Sequence, residues 1–241
     1  APRCNTRPML VRDDGLVIGQ PAHAWVSGQL ARAWAGPVEP WEEVCLAAEQ
    51  HDLGMAAWER QPTLNPETGL PRSFMELPLD EHVEIWRRAA PLVLTQCRYA
   101  ALLVSMHGTA LYERRDLTRL EPAEVAQVEA FMAEQHQLQR ELIAGFDEEQ
   151  VRRNQRLIWT WDSLSLGLLL GWAPFVLKDV PAAGDIAVEE GTLEPWPFAQ
   201  ARITVRCDAR RLEGRYDDEA TMRAALEAAP WTTVEVELAR R

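Results

Sequence analysis

In this 241-residue sequence, side chains able to bind a metal or move a proton stand among apolar neighbours at four places: His23, the pair His51-Asp52, His107 and Asp162. The pair closes the stretch Trp41-Glu42-Glu43-Val44-Cys45-Leu46-Ala47-Ala48, whose apolar positions 41, 44, 45 and 48 mark one face of a helix. His51 and Asp52 continue that face and are expected in the interior. A carboxylate taken out of water is costly unless something charged or hydrogen-bonding receives it, and a cation held by both residues would do so. The alternative for the pair alone is a helix-terminal Asp-Leu-Gly, with Asp52 capping a neighbouring turn and Gly54 ending the helix. His107 lies within residues 100–112, apolar nearly all round, and a buried imidazole needs a hydroxyl, a carbonyl or a metal. Asp162, flanked by Trp161 and Leu164, needs a cation, a histidine or backbone donors. His23 sits near a helix start, where a bond to backbone is the alternative. His82 and His136 read as solvated.

These residues must be positioned by helices. Residues 8–20 carry two β-prone runs around Asp14-Gly15, which predicts a hairpin with a two-residue turn. Pro21 suits the first turn of a helix that Gly36-Pro37 stops near residue 35. A second helix spans about 40–52. Between Trp58 and Pro78 the prolines 62, 66, 71 and 78 and Gly69 forbid a regular helix. The polar groups Thr63, Asn65, Thr68, Arg72 and Ser73 and the anchors Leu64, Leu70 and Phe74 suit either a lid over the 51–52 end or a plain surface crossing. Further helices begin at Asp80, run through 98–112 and 121–145, and start again at a cap on Asp147 to reach about residue 170. Beyond Pro174 the segments 185–188, 201–206 and 232–238 alternate as strands, with a short helix at 217–229 between the last two. The expected architecture is mainly α: an N-terminal β-hairpin at 1–20, a helical domain at 21–175, and a small antiparallel α+β appendage at 176–241 packed on the helical body.

Composition narrows the function. An apolar content of 47% supports a full core. The four cysteines, Cys4, Cys45, Cys97 and Cys207, are widely spaced without a Cys-x-x-Cys pair and read as free thiols of a reducing cytoplasm. No charged-then-apolar leader opens the chain, and the longest apolar stretch, 164–177, is broken by Ser165, Gly167, Gly171 and Pro174, so a soluble, cytoplasmic protein is expected. A net charge of −12 opposes sequence-independent binding to nucleic acid or to an anionic membrane. Lys178 is the sole lysine, so recognition of an anion would rest on arginines. This Ala-, Arg- and Pro-rich composition suggests a GC-rich bacterial genome. Ten tryptophans leave room for a homo-oligomer interface. Neither a Gly-x-Ser-x-Gly elbow nor a Gly-rich phosphate loop is present.

The order His … His-Asp … His … Asp on helices resembles the His-Asp (HD) superfamily of metal-dependent phosphohydrolases. That resemblance implies an HD-like helical bundle. His23, His51, Asp52 and Asp162 would be its first-metal ligands, with His107 at a second metal or against substrate. It also implies one or two divalent ions (Mn, Fe, Ni, Zn or Mg), Asp52 as a catalytic residue, and metal-activated water attacking a small phosphorylated molecule. Arg72 and Arg98 are the candidate phosphate contacts, with surface ion pairing the equal alternative for both. The lysine that many such enzymes carry near the pair has no counterpart here. More locally, Gln20-Pro21-x-His23, Ala48-x-x-His51-Asp52-x-Gly54, Pro62-Thr63-Leu64, Thr68-Gly69-x-Pro71 and Leu103-Val104-Ser105-Met106-His107-Gly108 are similar to a family of uncharacterised bacterial proteins over roughly residues 8–175. Two alternatives stand beside the enzyme: a non-catalytic HD-like binding module whose His/Asp cluster is a structural hydrogen-bond network, and metal-free hydrolysis by Asp52 with Asp162.

Overall fold

The computed structural model describes residues 9–12, 14–72 and 74–240; Cys4, Pro8 and Ser73 lie outside them. The chain opens with β1 (Leu10–Val11) and β2 (Leu16–Ile18), followed by α1 (Gln20–Ala33) and α2 (Trp41–Gln50). A single 3₁₀ turn (Leu53–Met55) leads to the one-turn α3 (Ala56–Glu59), then to the two-residue strands β3 (Leu64–Asn65) and β4 (Leu70–Pro71). The helices α4 (Leu79–Leu94), α5 (Arg98–Glu113), α6 (Pro122–Leu142) and α7 (Glu148–Leu170) complete the helical body. The remainder is β5 (Phe175–Val180), β6 (Gly184–Glu189), β7 (Thr192–Glu194), β8 (Arg202–Arg211), α8 (Glu219–Ala228) and β9 (Trp231–Arg240).

The expectation of a mainly α, HD-like bundle is corrected here. Seven strands form one sheet in the order β1-β2-β8-β9-β7-β6-β5, so the fold is α+β and neither all-α nor an HD helical bundle. The sheet is not purely antiparallel either, since β7 and β9 run parallel. The reason is visible in the hairpin. Leu10, Leu16 and Ile18 enter the main core, whereas Met9, Val11 and Val17 face the other way into a second cluster with Leu212, against Trp58, Leu70, Tyr216 and Leu226. A strand covered on both faces shows an unbroken apolar run, which gives no hint of how much sheet it joins. Its turn is longer than the two-residue form expected: Arg12 N–H donates to the Leu16 carbonyl, and Gly15 takes φ 81°.

The helices α1 and α7 pack on one face of this sheet, and α3 and α8 lie toward the other. Ile203, Val205, Cys207 and Ala209 of β8 point inward and alternate with exposed neighbours. β2 covers only the end of β8, pairing at Arg210 and Arg211. Farther along, the Gln29 side chain of α1 binds both the carbonyl (2.8 Å) and the N–H (3.0 Å) of Arg206, taking the place of a strand at that edge. The helix ends follow local rules. Asp147 caps α7 by accepting from Glu149 and Gln150, and Gly171 closes it in the left-handed conformation. Glu121 and Glu124 form a capping box on α6. Among the described residues no helix is long and apolar enough to cross a membrane.

Gly54 does not end a helix with a left-handed residue. It sits inside the 3₁₀ turn, where a Cβ would lie 2.7 Å from the Ile85 carbonyl oxygen and 3.1 Å from the Ala89 methyl of α4. Backbone cannot swing aside as a side chain can. Gly54→Ala is therefore expected to lower stability by about 1–3 kcal/mol, read as a lower urea midpoint with an unchanged slope.

Candidate metal centre

Four helical segments meet at one buried point. α2 ends at Gln50, and His51 and Asp52 continue into the 3₁₀ turn, so their side chains face inward beside α1, α5 and α7. His23 lies in the first turn of α1, His107 in the middle of α5 and Asp162 in the second half of α7. The structure brings together all five: none is more than 7% exposed. His23 Nε2 is 2.6 Å from Asp52 Oδ2 and 3.7 Å from Asp162 Oδ1. His51 Nε2 is 3.6 Å from Asp52 Oδ2 and 3.4 Å from Asp162 Oδ1. His107 Nε2 is 3.9 Å from Asp162 Oδ2. The imidazole centroids of His23 and His51 are 5.1 Å apart, and those of His51 and His107 are 4.8 Å apart.

Neighbouring groups orient these donors. His51 Nδ1 donates to the Ala48 carbonyl at 2.8 Å, which turns Nε2 toward the two carboxylates. His23 Nδ1 meets Ser165 Oγ at 2.9 Å, and the Ser165 hydroxyl donates to the Asp162 backbone carbonyl at 2.8 Å. Ser27 joins the Ser165 hydroxyl at 2.9 Å. The spacing that identifies both serines is in the sequence: Ser165 follows Asp162 by three residues and Ser27 follows His23 by four, each on the same helical face. His107 lies between two indoles, with centroids at 5.6 Å from Trp86 and 5.5 Å from Trp159.

The charge state follows from burial and from the neighbours. Burial alone would push His51 down, but the carboxylates of Asp52 and Asp162, aided by the Ala48 carbonyl, raise it to about 9. The 3.4 Å contact to Asp162 is an ion pair without hydrogen-bond alignment, so His51 Nε2 has no hydrogen-bond partner among the described residues. For Asp162 burial works upward, yet the three imidazoles outweigh it and hold the carboxyl at about 2. Asp52 is lowered in the same way by His51 and His23 against its own burial. His107, desolvated and beside the His51 charge, falls to about 4, and its Nδ1 is buried without a partner.

A pH dependence follows for the metal-free protein. The contribution of His51, raised from 6.5, is full below 6.5 and is lost as pH rises through about 9. His107 is depressed from 6.5, so the unfolded chain takes up its proton first and stability is lost as pH falls toward about 4. The carboxylates add a further loss as pH falls from the usual carboxylate range toward about 2. Chemical denaturation after chelation is expected to give maximal stability near pH 6.5, with a fall of about 1–3 kcal/mol on either side. A flat profile between pH 5 and 9 would contradict this charge assignment.

The remaining expectations fall elsewhere. Arg98 opens α5 and gives its guanidinium to the carbonyls of Leu142 (3.2 Å) and Ala144 (2.9 Å) over the Phe146 ring. It precedes His107 on α5 by roughly 13 Å of helix. Arg72 makes a long 3.5 Å contact to the Glu76 carbonyl within its own loop. That loop is bound to the segment before and within α8: Tyr216 N–H donates to the Gly69 carbonyl, and Arg223 Nε donates to the Pro62 carbonyl at 2.9 Å. His82 is not solvated. Its Nδ1 pairs with the Tyr112 hydroxyl at 2.5 Å and its Nε2 accepts from Trp86 at 3.2 Å. Arg114, which the sequence did not single out, lies 4.1 Å over the ring of Trp159, whose other neighbour is His107.

An α+β protein that brings three histidines and two aspartates into one buried cluster, in two overlapping groups sharing His51 with donor atoms within 4.8 Å of one another, has side chains that could hold a metal ion. The chain belongs to the family described as protein of unknown function (DUF3891), whose model matches residues 9–214. No curated protein and no solved structure matches it.

Proposed function

We propose that the cluster is a divalent-metal centre and that the protein is a metal-dependent hydrolase acting on a phosphate ester. The observation that carries this reading is His51 Nε2, buried without a hydrogen-bond partner at 3.6 Å from Asp52 Oδ2 and 3.4 Å from Asp162 Oδ1, both carboxylates being desolvated. Buried polar atoms are ordinarily satisfied, and an orphaned imidazole nitrogen among carboxylates has a cation as its natural complement. His23, His51 and Asp52 would form one ligand set and His51, His107 and Asp162 an alternative one, since His51 has only Nε2 to give. Mixed imidazole and carboxylate donors favour Mn, Fe, Ni or Zn over Mg. A divalent ion there would make a water molecule acidic enough to act as a nucleophile at neutral pH.

The chain's own residues would supply the rest. Ser165 and Ala48 hold the rings of His23 and His51 in the orientation a ligand needs. Where His23, His51 and Asp52 hold the ion, His107 stays uncharged at neutral pH and outside the ligand set. The indoles of Trp86 and Trp159 screen it from water. Arg114, over the Trp159 ring and bound through Nη1 to the Ala110 carbonyl at 2.9 Å, would be the guanidinium that meets a phosphate oxygen.

Elemental analysis of the purified protein, joined to a panel of phosphatase and phosphodiesterase substrates and repeated on Asp52→Ala, tests the proposal. One or two divalent ions per chain, with turnover lost in the variant, is the expected result. A metal-free protein that gains no stability from added Mn, Ni or Zn would leave the cluster as a structural hydrogen-bond network in a binding module. Turnover unchanged in Asp52→Ala would remove the residue from the mechanism.

A further inference from the structure

A second site lies outside the cluster. A cavity of about 550 Å³ opens between the start of α1, α3, the strands β8 and β9, and α8, and none of the five cluster side chains lines it. Its walls are mostly apolar, among them Val17, Pro21, Ala22, Ala56 and Leu226. The volume is in the range of pockets that enclose small organic molecules.

Glu59 is the partly buried acid of this cavity. Its Oε1 accepts the Gln20 N–H at 2.5 Å, and among the described residues no hydrogen bond is made to Oε2. Gly19 leaves room for that carboxylate. With φ −69° and ψ 152° it has a backbone any residue adopts, yet a Cβ there would lie 2.6 Å from Glu59 Oε2. Burial, opposed by the Gln20 N–H and reinforced by the charge of Asp52, pushes the Glu59 carboxyl up to about 8. Such a group gains when a positive charge enters beside it.

The charges around the opening leave the sign of the ligand to Glu59. Arg210 donates to the Leu226 carbonyl at 2.7 Å and lies over Trp231, while Arg223 donates to the Pro62 and Gln61 carbonyls and pairs with Glu219. Arg223 is thus neutralised by an acid, while Arg210 keeps its charge. The charges of Arg60 and Arg210 are offset by the carboxylates of Asp208 and Glu227 in the same lining, on a chain of net charge −12, so Glu59 is the group left to ionise beside a ligand. Trp231, 67% exposed, sets an indole at the edge, a surface that favours apolar groups and cations.

We propose that this cavity binds a small primary amine with an apolar body, its ammonium against Glu59 Oε2 and its body filling the space toward Trp231. Titration of the ¹⁵N-labelled protein with benzylamine, benzyl alcohol and benzoate tests this by NMR. Benzylamine is expected to bind saturably and to shift the Gly19 and Gln20 amides and the Trp231 indole N–H, with benzyl alcohol at least about tenfold weaker and benzoate weaker still. Glu59→Gln keeps an acceptor for the Gln20 N–H and is expected to weaken benzylamine by about tenfold or more. Ala56→Leu fills the cavity while keeping the Glu59 carboxyl and should abolish binding. Failure of benzylamine to bind the native protein, benzyl alcohol binding as tightly, or undiminished binding in either folded variant would overturn the assignment. Should Glu59→Gln not fold, Ala56→Leu and the comparison of amine with alcohol on the native protein decide it.

Discussion

Ending the chain at Gly214, where the family match stops, is expected to leave no folded protein. The strand β9 lies beyond that point, yet it is interior to the sheet: it pairs antiparallel with β8 from Trp231 to Ala239 and parallel with β7 at Ala239 and Arg240. Without it the sheet divides into β1-β2-β8 and β7-β6-β5, each with a new unpaired edge. Val234, Leu238 and Met222 leave the interior as well. Each such side chain contributes roughly 1.5–3 kcal/mol on burial, which together already rivals a typical net stability of about 5–15 kcal/mol before the lost ladder is counted. The loop bearing Arg72 would also lose its bonds from Tyr216 and Arg223. The truncated chain should aggregate or show no cooperative melting transition, with broadened amide resonances. A soluble 1–214 fragment with dispersed resonances and cooperative unfolding would show that β9 is an addition to a self-sufficient fold.

The helices were legible because their signals are local. The Asp147 cap, Pro21 in the first turn of α1 and the apolar stripe of α2 each mark an element within a few residues of where it lies. The five polar residues stood out because each interrupts a helix that otherwise reads as core. The sheet depends on partners far along the chain. β7 has only three residues and is placed by a parallel contact with a strand more than forty residues away, which no local pattern announces. β5 was hidden because Phe175 to Leu177 continues the apolar run leaving α7. His82 misled for a related reason: an acidic first turn suggests solvent, and only the packing of α4 on α5 brings Tyr112 to its ring. Glu59 reads as an ordinary acid until Gly19 and Gln20 are folded against it from forty residues upstream.

Asp162→Ala should have the largest effect of any single substitution at the cluster, and it separates the metal centre from a hydrogen-bond network. In the metal-free protein it removes one of the two carboxylates that keep His51 charged, so the His51 titration should move down from about 9 and the alkaline limb of the stability profile should shift with it. Removing one member of a buried ion pair costs about 3–5 kcal/mol. Both readings share that loss, so stability alone does not choose between them. The added increment does. If a divalent ion binds the native fold, its presence at a thousand times Kd raises stability by about 4 kcal/mol. Asp162→Ala should lose about two thirds of that increment, because with affinity lower by two orders of magnitude the same ion concentration is about ten times Kd and adds only about 1.4 kcal/mol. The same comparison on Ser165→Ala should show a smaller loss of about tenfold in affinity, since Ser165 orients His23 without contacting the ion. An unchanged increment in Asp162→Ala would exclude that carboxylate as a ligand, and no increment in the native protein with any of Mn, Ni or Zn would exclude the metal centre itself.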